Sequence, residues 1–173
     1  MKKLLLFTLI SLLPLMVSAQ LSVGIMSPDD VLDSLPETAE IESELQSFVD
    51  ERERNFERRY QAYIEKITEY SERVEAGTIS EAEQQAEEEE IEDMEEDLTN
   101  LQNRVERQIR EKQNELFSPL LNRIEAAMET VSRDLGLDYV INKSTSTGDP
   151  IVYYASDRGV DITQNVIDYL TEN

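Results

Sequence analysis

The sequence predicts an α+β fold that is mainly α, a long antiparallel helical hairpin standing on a small β base. Three observations carry this. Residues 38–76 contain no Gly or Pro while apolar side chains recur at helical spacing; Gly77 and Thr78 interrupt that pattern just before a new helix-start signal; and short apolar runs of strand type occur only towards the two ends of the chain.

Composition supports an elongated or oligomeric protein. Of 173 residues 39% are hydrophobic, and the aromatics are seven Tyr and four Phe with no Trp, which supplies little bulk for a deep core. The first residues read as an address: Lys2 and Lys3, an apolar run from Leu4 to Val17, and small residues at Val17-Ser18-Ala19. A signal peptide over 1–19, cleaved to leave Gln20 first, is expected. The run is short of the roughly 20 residues a bilayer span needs, so no stable membrane insertion is expected. The absence of Cys excludes lipid attachment through a thiol and means that an exported chain must hold together by packing alone.

After the leader, Leu21 to Met26 (LSVGIM) reads as a strand. Ser27-Pro28-Asp29-Asp30 then has the spacing of a capping box, with Asp for the usual Glu, and starts a short helix expected to end near Leu35, before Pro36. The first long helix is expected from Thr38 to about Ala76. Its stripe is Ile41, Leu45, Phe48, Phe56, Tyr60, Tyr63, Ile67, Tyr70 and Val74, with Arg52 filling one place in the register. The spacing is close to an eleven-residue repeat, which gives a straight or slightly right-handed helix. The hairpin tip falls near residues 77–80, and Ser80 with Glu83 offers a capping box for the return helix, Glu81 to Leu135, whose stripe runs from Ile91 through Leu116 to Leu135. Counting back from the tip puts Pro119, the one breaker inside that helix, opposite Thr38, at the junction of hairpin and base.

Beyond Gly136, Leu137–Asn142 and Ile151–Ala155 read as two strands joined by a polar turn, and Asp161-Ile162-Thr163 caps a last short helix bearing Val166, Ile167 and Leu170. The expected organisation is therefore a body from 20–37 and 119–173 with the hairpin arm at 38–118. Three short strands cannot bury both faces of a sheet, so pairing between protomers is expected, with Val23, Ile25, Val140, Ile141, Ile151, Val152 and Tyr153 as oligomer-interface candidates.

The formal charge is −22; loss of Lys2 and Lys3 leaves 14 basic residues against 38 acids, a net of −24. Nucleic acid is excluded as a partner by the lack of a basic face. The charge is uneven. Glu72 to Asp97 holds 13 acids and one base, whereas Glu51 to Lys66 has five bases and four acids and Arg104 to Lys112 four bases and two acids. The hairpin is thus mildly positive in its middle and strongly negative at its tip. The run Glu87 to Glu90 reads as a solvated helix face, and nothing in its spacing builds a metal cage.

Without His or Cys the commonest general base, the thiolate nucleophile and the usual transition-metal ligands are missing, and no glycine loop cradles a phosphate. No catalytic residue, cofactor or metal is expected.

Taken together, the strand followed by Ser-Pro-Asp-Asp-Val-Leu-Asp-Ser-Leu-Pro, two long charged helices, Leu135 to Ile141 (LGLDYVI), Val-Tyr-Tyr-Ala-Ser and Asp161-Ile162-Thr163 resemble the OmpH/Skp family of periplasmic chaperones. The likeness spans the whole chain after the leader. It implies a homotrimer with a shared barrel-like β body, and three helical hairpins projecting as tentacles around a cavity that holds unfolded outer-membrane β-barrel proteins without ATP. Candidate client-binding residues on the arm are Phe56, Tyr60, Tyr63, Ile67 and Tyr70 with Met94, Leu98 and Leu101, and Arg58, Arg59, Arg104 and Arg107 for acidic client segments. The same stripe is also what the seam of a helix pair would bury. One departure stands out: well-known members are basic, and this chain is acidic, so no family site for lipopolysaccharide is carried over. The rival reading is a scaffold or spacer of the cell envelope that binds one defined partner.

Overall fold

A computed structural model describes residues 21–145, 147–156 and 159–172; the expected signal peptide lies outside them. Strand β1 (Val23–Met26) leads into α1 (Pro28–Ser34); α2 (Pro36–Glu75) and α3 (Glu81–Asp134) form the hairpin; β2 (Tyr139–Asn142), β3 (Val160–Asp161) and α4 (Thr163–Glu172) complete the base. The hairpin helices have 40 and 54 residues, about 60 and 80 Å at 1.5 Å per residue.

Helix α2 begins at Pro36, two residues before the expected Thr38. Proline lacks the N–H that a first helical position leaves unused, and its fixed φ suits that place, so Pro36 ends α1 and opens α2 in one step. The Thr38 hydroxyl then donates to the Leu32 carbonyl at 2.6 Å, fastening the start of the arm to α1. At the tip Gly77 has φ 64°, and its N–H and that of Thr78 close on the carbonyls of Val74 and Arg73, both at 3.0 Å. This is the reciprocal closure that a left-handed glycine permits. Ser80 and Glu83 form the full capping box that restarts the chain as α3. The same left-handed closure ends α3 at Gly136, where Gly136 donates to Arg133 at 3.1 Å and Leu137 to Ser132 at 2.9 Å.

Cross-hairpin ion pairs fix the register: Lys66 to Glu90 at 2.6 Å, Lys112 to Glu44 at 2.8 Å and Arg123 to Glu37 at 2.8 Å. In that register Pro119 stands level with Thr38. Helix α3 continues through Pro119, although the Glu115 carbonyl loses its helical donor there.

The sheet has the order β2-β1-β3, and both pairings are parallel. The strand expected at Ile151–Ala155 is absent. Both edges of β1 are occupied, and the Ile151 and Val152 amides instead turn back on the Lys143 carbonyl at 2.9 and 3.3 Å. The third strand is Val160–Asp161, whose pairing with Gly24 and Ile25 takes that edge.

One face of the sheet is packed. Met26 of β1, Val31 and Leu35, the α3 stretch Leu120, Ile124, Ala127 and Val131, and Ile162 with Val166 make one buried cluster. Polar bonds lock it. The capping box expected at Ser27 is only half made: the Ser27 hydroxyl accepts from Asp30 at 3.2 Å, but the Ser27 N–H donates to the Thr163 hydroxyl at 3.1 Å instead of to Asp30. Asp161 in turn accepts from the Thr163 amide at 3.0 Å and hydroxyl at 2.6 Å. The last helix is thereby tied to the junction of β1 and α1. Burial pushes the Asp161 carboxyl up, but the bonds from Thr163 and Lys143 outweigh it and hold the group below its ordinary value. Replacement Ile162→Ala removes a side chain with no exposure and is expected to cost about 2–5 kcal/mol in urea denaturation.

Candidate functional site

The arm is a narrow two-helix seam, and its side chains divide into those the seam uses and those it leaves open. Leu101 is buried between the helices, and Phe56, Tyr63, Ile67, Tyr70, Met94 and Leu98 are half-buried there. Tyr60 remains exposed and stacks on Phe56 with ring centroids 6.3 Å apart. Of the arm residues proposed from sequence, Leu101 is thus committed to the seam, while Phe56 and Tyr60 form a paired aromatic surface. Arg52 does fill the stripe, with its guanidinium 4.4 Å from the Phe48 ring centroid and its buried Nε without a hydrogen-bond partner. The cation over the ring face replaces an aliphatic knob in that layer.

The charges divide in the same way. Lys66, Arg73 and Lys112 bridge the two helices to Glu90, Glu87 and Glu44, and Arg123 to Glu37. Among the described residues, Arg54, Arg58, Arg59, Arg104, Arg107 and Arg110 have no ion pair, and all six are gathered in the middle of the arm. All six are exposed. Phe56 and Val105 form the floor of a groove nearby, with Glu53, Arg54, Glu57, Gln102 and Glu106 around it.

At the acidic tip, Glu87 to Glu90 is less a free face than its composition implies. Glu87 and Glu90 are paired across the hairpin, and Glu88 accepts a hydrogen bond from the Tyr70 hydroxyl at 2.5 Å. The bond from Tyr70, helped by Gln84, holds the Glu88 carboxyl below its ordinary value, and the same contact raises the Tyr70 hydroxyl. Among the described residues no acidic group has the arrangement of a metal site.

The second candidate surface is the uncovered face of the sheet. Strand alternation puts Val23 and Ile25 of β1 beside Tyr139 and Ile141 of β2 on this side. Tyr139 and Ile141 are exposed, as are Leu21 and Val160, and the shallow cavity over the face is lined by Leu21, Val23, Ile25, Ile141, Val152, Tyr154 and Val160. Val140, proposed for this interface from sequence, points the other way and packs against the chain's own core. Ile151 and Tyr153 are exposed but do not line the cavity. Leu21 and Tyr154 do line it and were not picked out, though the alternation Leu21-Val23-Ile25 and Val152-Tyr154 carries the signal.

A family model described as outer membrane protein (OmpH-like) matches residues 22–170. The chain belongs to the OmpH-like family. The match takes in β1, the whole hairpin and nearly all of α4, so the arm and the sheet face both lie within the OmpH-like region. Membership points to a chaperone of outer-membrane proteins, not an enzyme, and to the periplasm. A comparison with curated proteins returns no match. Among the described residues of this OmpH-like chain no helix is long and apolar enough to cross a membrane.

The lowered Glu88 and raised Tyr70 set a pH window for their bond. Its contribution is present above the ordinary carboxylate value and is lost as pH falls through the depressed Glu88 value; at the alkaline end it is lost as pH rises through the raised Tyr70 value. Carboxyl-carbon NMR titration is expected to place Glu88 below an ordinary glutamate, and Tyr70→Phe to move it upward.

Proposed function

We propose that this protein is an ATP-independent holding chaperone of the periplasm that keeps unfolded outer-membrane or other exported proteins from aggregating. The observation that carries this reading is the uncommitted middle of the arm, where six arginines without ion pairs surround partly open aromatic side chains. A holder needs many weak, adaptable contacts, because one tight site would prevent release. Here Phe56, Tyr60, Tyr63, Ile67 and Tyr70, with Met94 and Leu98, offer apolar and amphipathic area, and Arg58, Arg59, Arg104 and Arg107 take acidic stretches of the client. Leu101 acts in the seam beneath them.

The working particle is a homotrimer. Parallel sheets occur almost only with both faces covered, and the apolar face with Val23, Ile25 and Ile141 is left open within one chain. Equivalent faces from three chains, joined by the 151–155 segments, close a shared β body. In this reading residues 1–19 are removed on export, 20–37 and 119–173 belong to the body, and 38–118 form the arm beside a client-sized space.

The test is aggregation of several unrelated unfolded barrel proteins diluted from urea, followed by light scattering without nucleotide. The mature chain in molar excess is expected to suppress scattering for all of them, and the combined replacement of Phe56 and Tyr60 by Ala to weaken suppression several-fold. Binding of one folded protein at fixed stoichiometry, with no effect on scattering, would instead establish a scaffold.

A further inference from the structure

The six unpaired arginines are not spread evenly around the arm. Helical phase, read from the seam residues Phe56 and Val105, places Arg59 of α2 and Arg104 of α3 on one flank of the hairpin, with Arg58 and Arg107 at its outer edge towards the back of their helices, where Arg58 lies beside Glu51, Arg54 and Glu57. The opposite flank at the same height is the groove, where Glu53, Glu57 and Glu106 stand over Phe56 and Val105. Only Arg54 interrupts the acids there. Among the described residues Glu53 and Glu106, like the four arginines, have no ion pair. One arm therefore carries two flanks of opposite charge, level with each other and largely unsatisfied.

Two flanks of this kind on one element suit a contact that repeats by rotation. In a closed ring each copy offers its cationic flank to the acidic flank of the next, so every flank finds its complement without any second surface. The other orientation, with the cationic flanks turned inward, sets three clusters of arginine against one another. We propose that the middle of each arm docks on the neighbouring arm of the same particle, Arg58, Arg59, Arg104 and Arg107 of one hairpin meeting Glu53, Glu57 and Glu106 of the next copy over the Phe56–Val105 groove. This rests on the trimer reading above and adds a state to it: an empty particle closed at the waist. The tip behaves oppositely. With 13 acids and one base from Glu72 to Asp97, the far ends repel each other, so the arms close at mid-height and splay beyond. A client with acidic segments competes for the arginines and opens the waist, which couples entry to the charge of the client. The contact is exposed, so its strength falls as screening shortens from about 10 Å at 0.1 M salt to about 3 Å at 1 M.

The chain has no Cys, so introduced thiols report cleanly. Asn55→Cys and Gln102→Cys in the same chain lie level on opposite flanks, directed away from each other within one hairpin and towards each other across the proposed contact. Under mild oxidation the full mature chain is expected to give a covalent three-chain species, formed several-fold more slowly at 1 M than at about 0.1 M salt. Adding Arg58→Glu and Arg59→Glu should abolish it, and further adding Glu53→Arg and Glu57→Arg should restore it, with native mass unchanged throughout. Cross-linking that ignores the charge reversal, or none at all in a particle whose native mass is three chains, overturns the arm contact while leaving the trimer standing. A native mass of one chain overturns the trimer reading and this contact with it.

Discussion

A parallel sheet whose strands run for four residues or fewer must be covered on both faces, and this chain supplies cover for one. Everything at the base follows from how that single layer is built. Gly24 at its centre leaves room for Leu137, whose Cδ1 would lie 2.7 Å from an added Cβ, and Met26 turns into the cluster formed by α1, α3 and α4. The bonds from Ser27 to Thr163 and from Ile162 to the Ile25 carbonyl at 2.9 Å bring the two ends of the described chain onto the same strand. The hairpin between them is in effect one very long crossover from β1 to β2. What remains on the outer face, Val23, Ile25, Tyr139 and Ile141, is apolar surface that no element among the described residues covers.

The arm obeys a different constraint. Two helices alone cannot build a core, and their seam is accordingly mixed: aliphatic at Leu101, aromatic at Phe56, cationic at Arg52 over Phe48, and pinned at intervals by Lys66, Lys112 and Arg123. Exposed ion pairs of this sort are weak singly and serve to fix register. A weakly packed seam is useful to a holder, because the same aromatic side chains are available to the seam and to a client. In the proposed trimer the acid excess would act less through any one site than through repulsion between arms.

Most of the architecture was legible because helices announce themselves locally. Gly77 and Gly136 at left-handed closures, the Ser80–Glu83 capping box and the stripe from Ile41 to Val74 each need only neighbouring residues to be read. Strands were harder, since a strand is defined by its partner. Ile151–Ala155 has the composition of one but turns back on Lys143, while Val160–Asp161 has almost no strand signature and pairs because β1 offers it an edge. The same reason separates Val140 from Ile141: both are β-formers, and only the pleat decides which faces the core. In the arm, sequence spacing found the stripe but not which cations the helices would satisfy, so the split between the bridging Lys66, Arg73, Lys112 and Arg123 and the mid-arm arginines without ion pairs emerged only with the fold.

The account stands or falls on what covers the open sheet face. Sedimentation equilibrium of the chain from Gln20 onward, across a range of protein concentrations, measures this most directly. The proposed shared body predicts a particle of three chains with intact helical content; a folded species with the mass of one chain at micromolar concentration would contradict it.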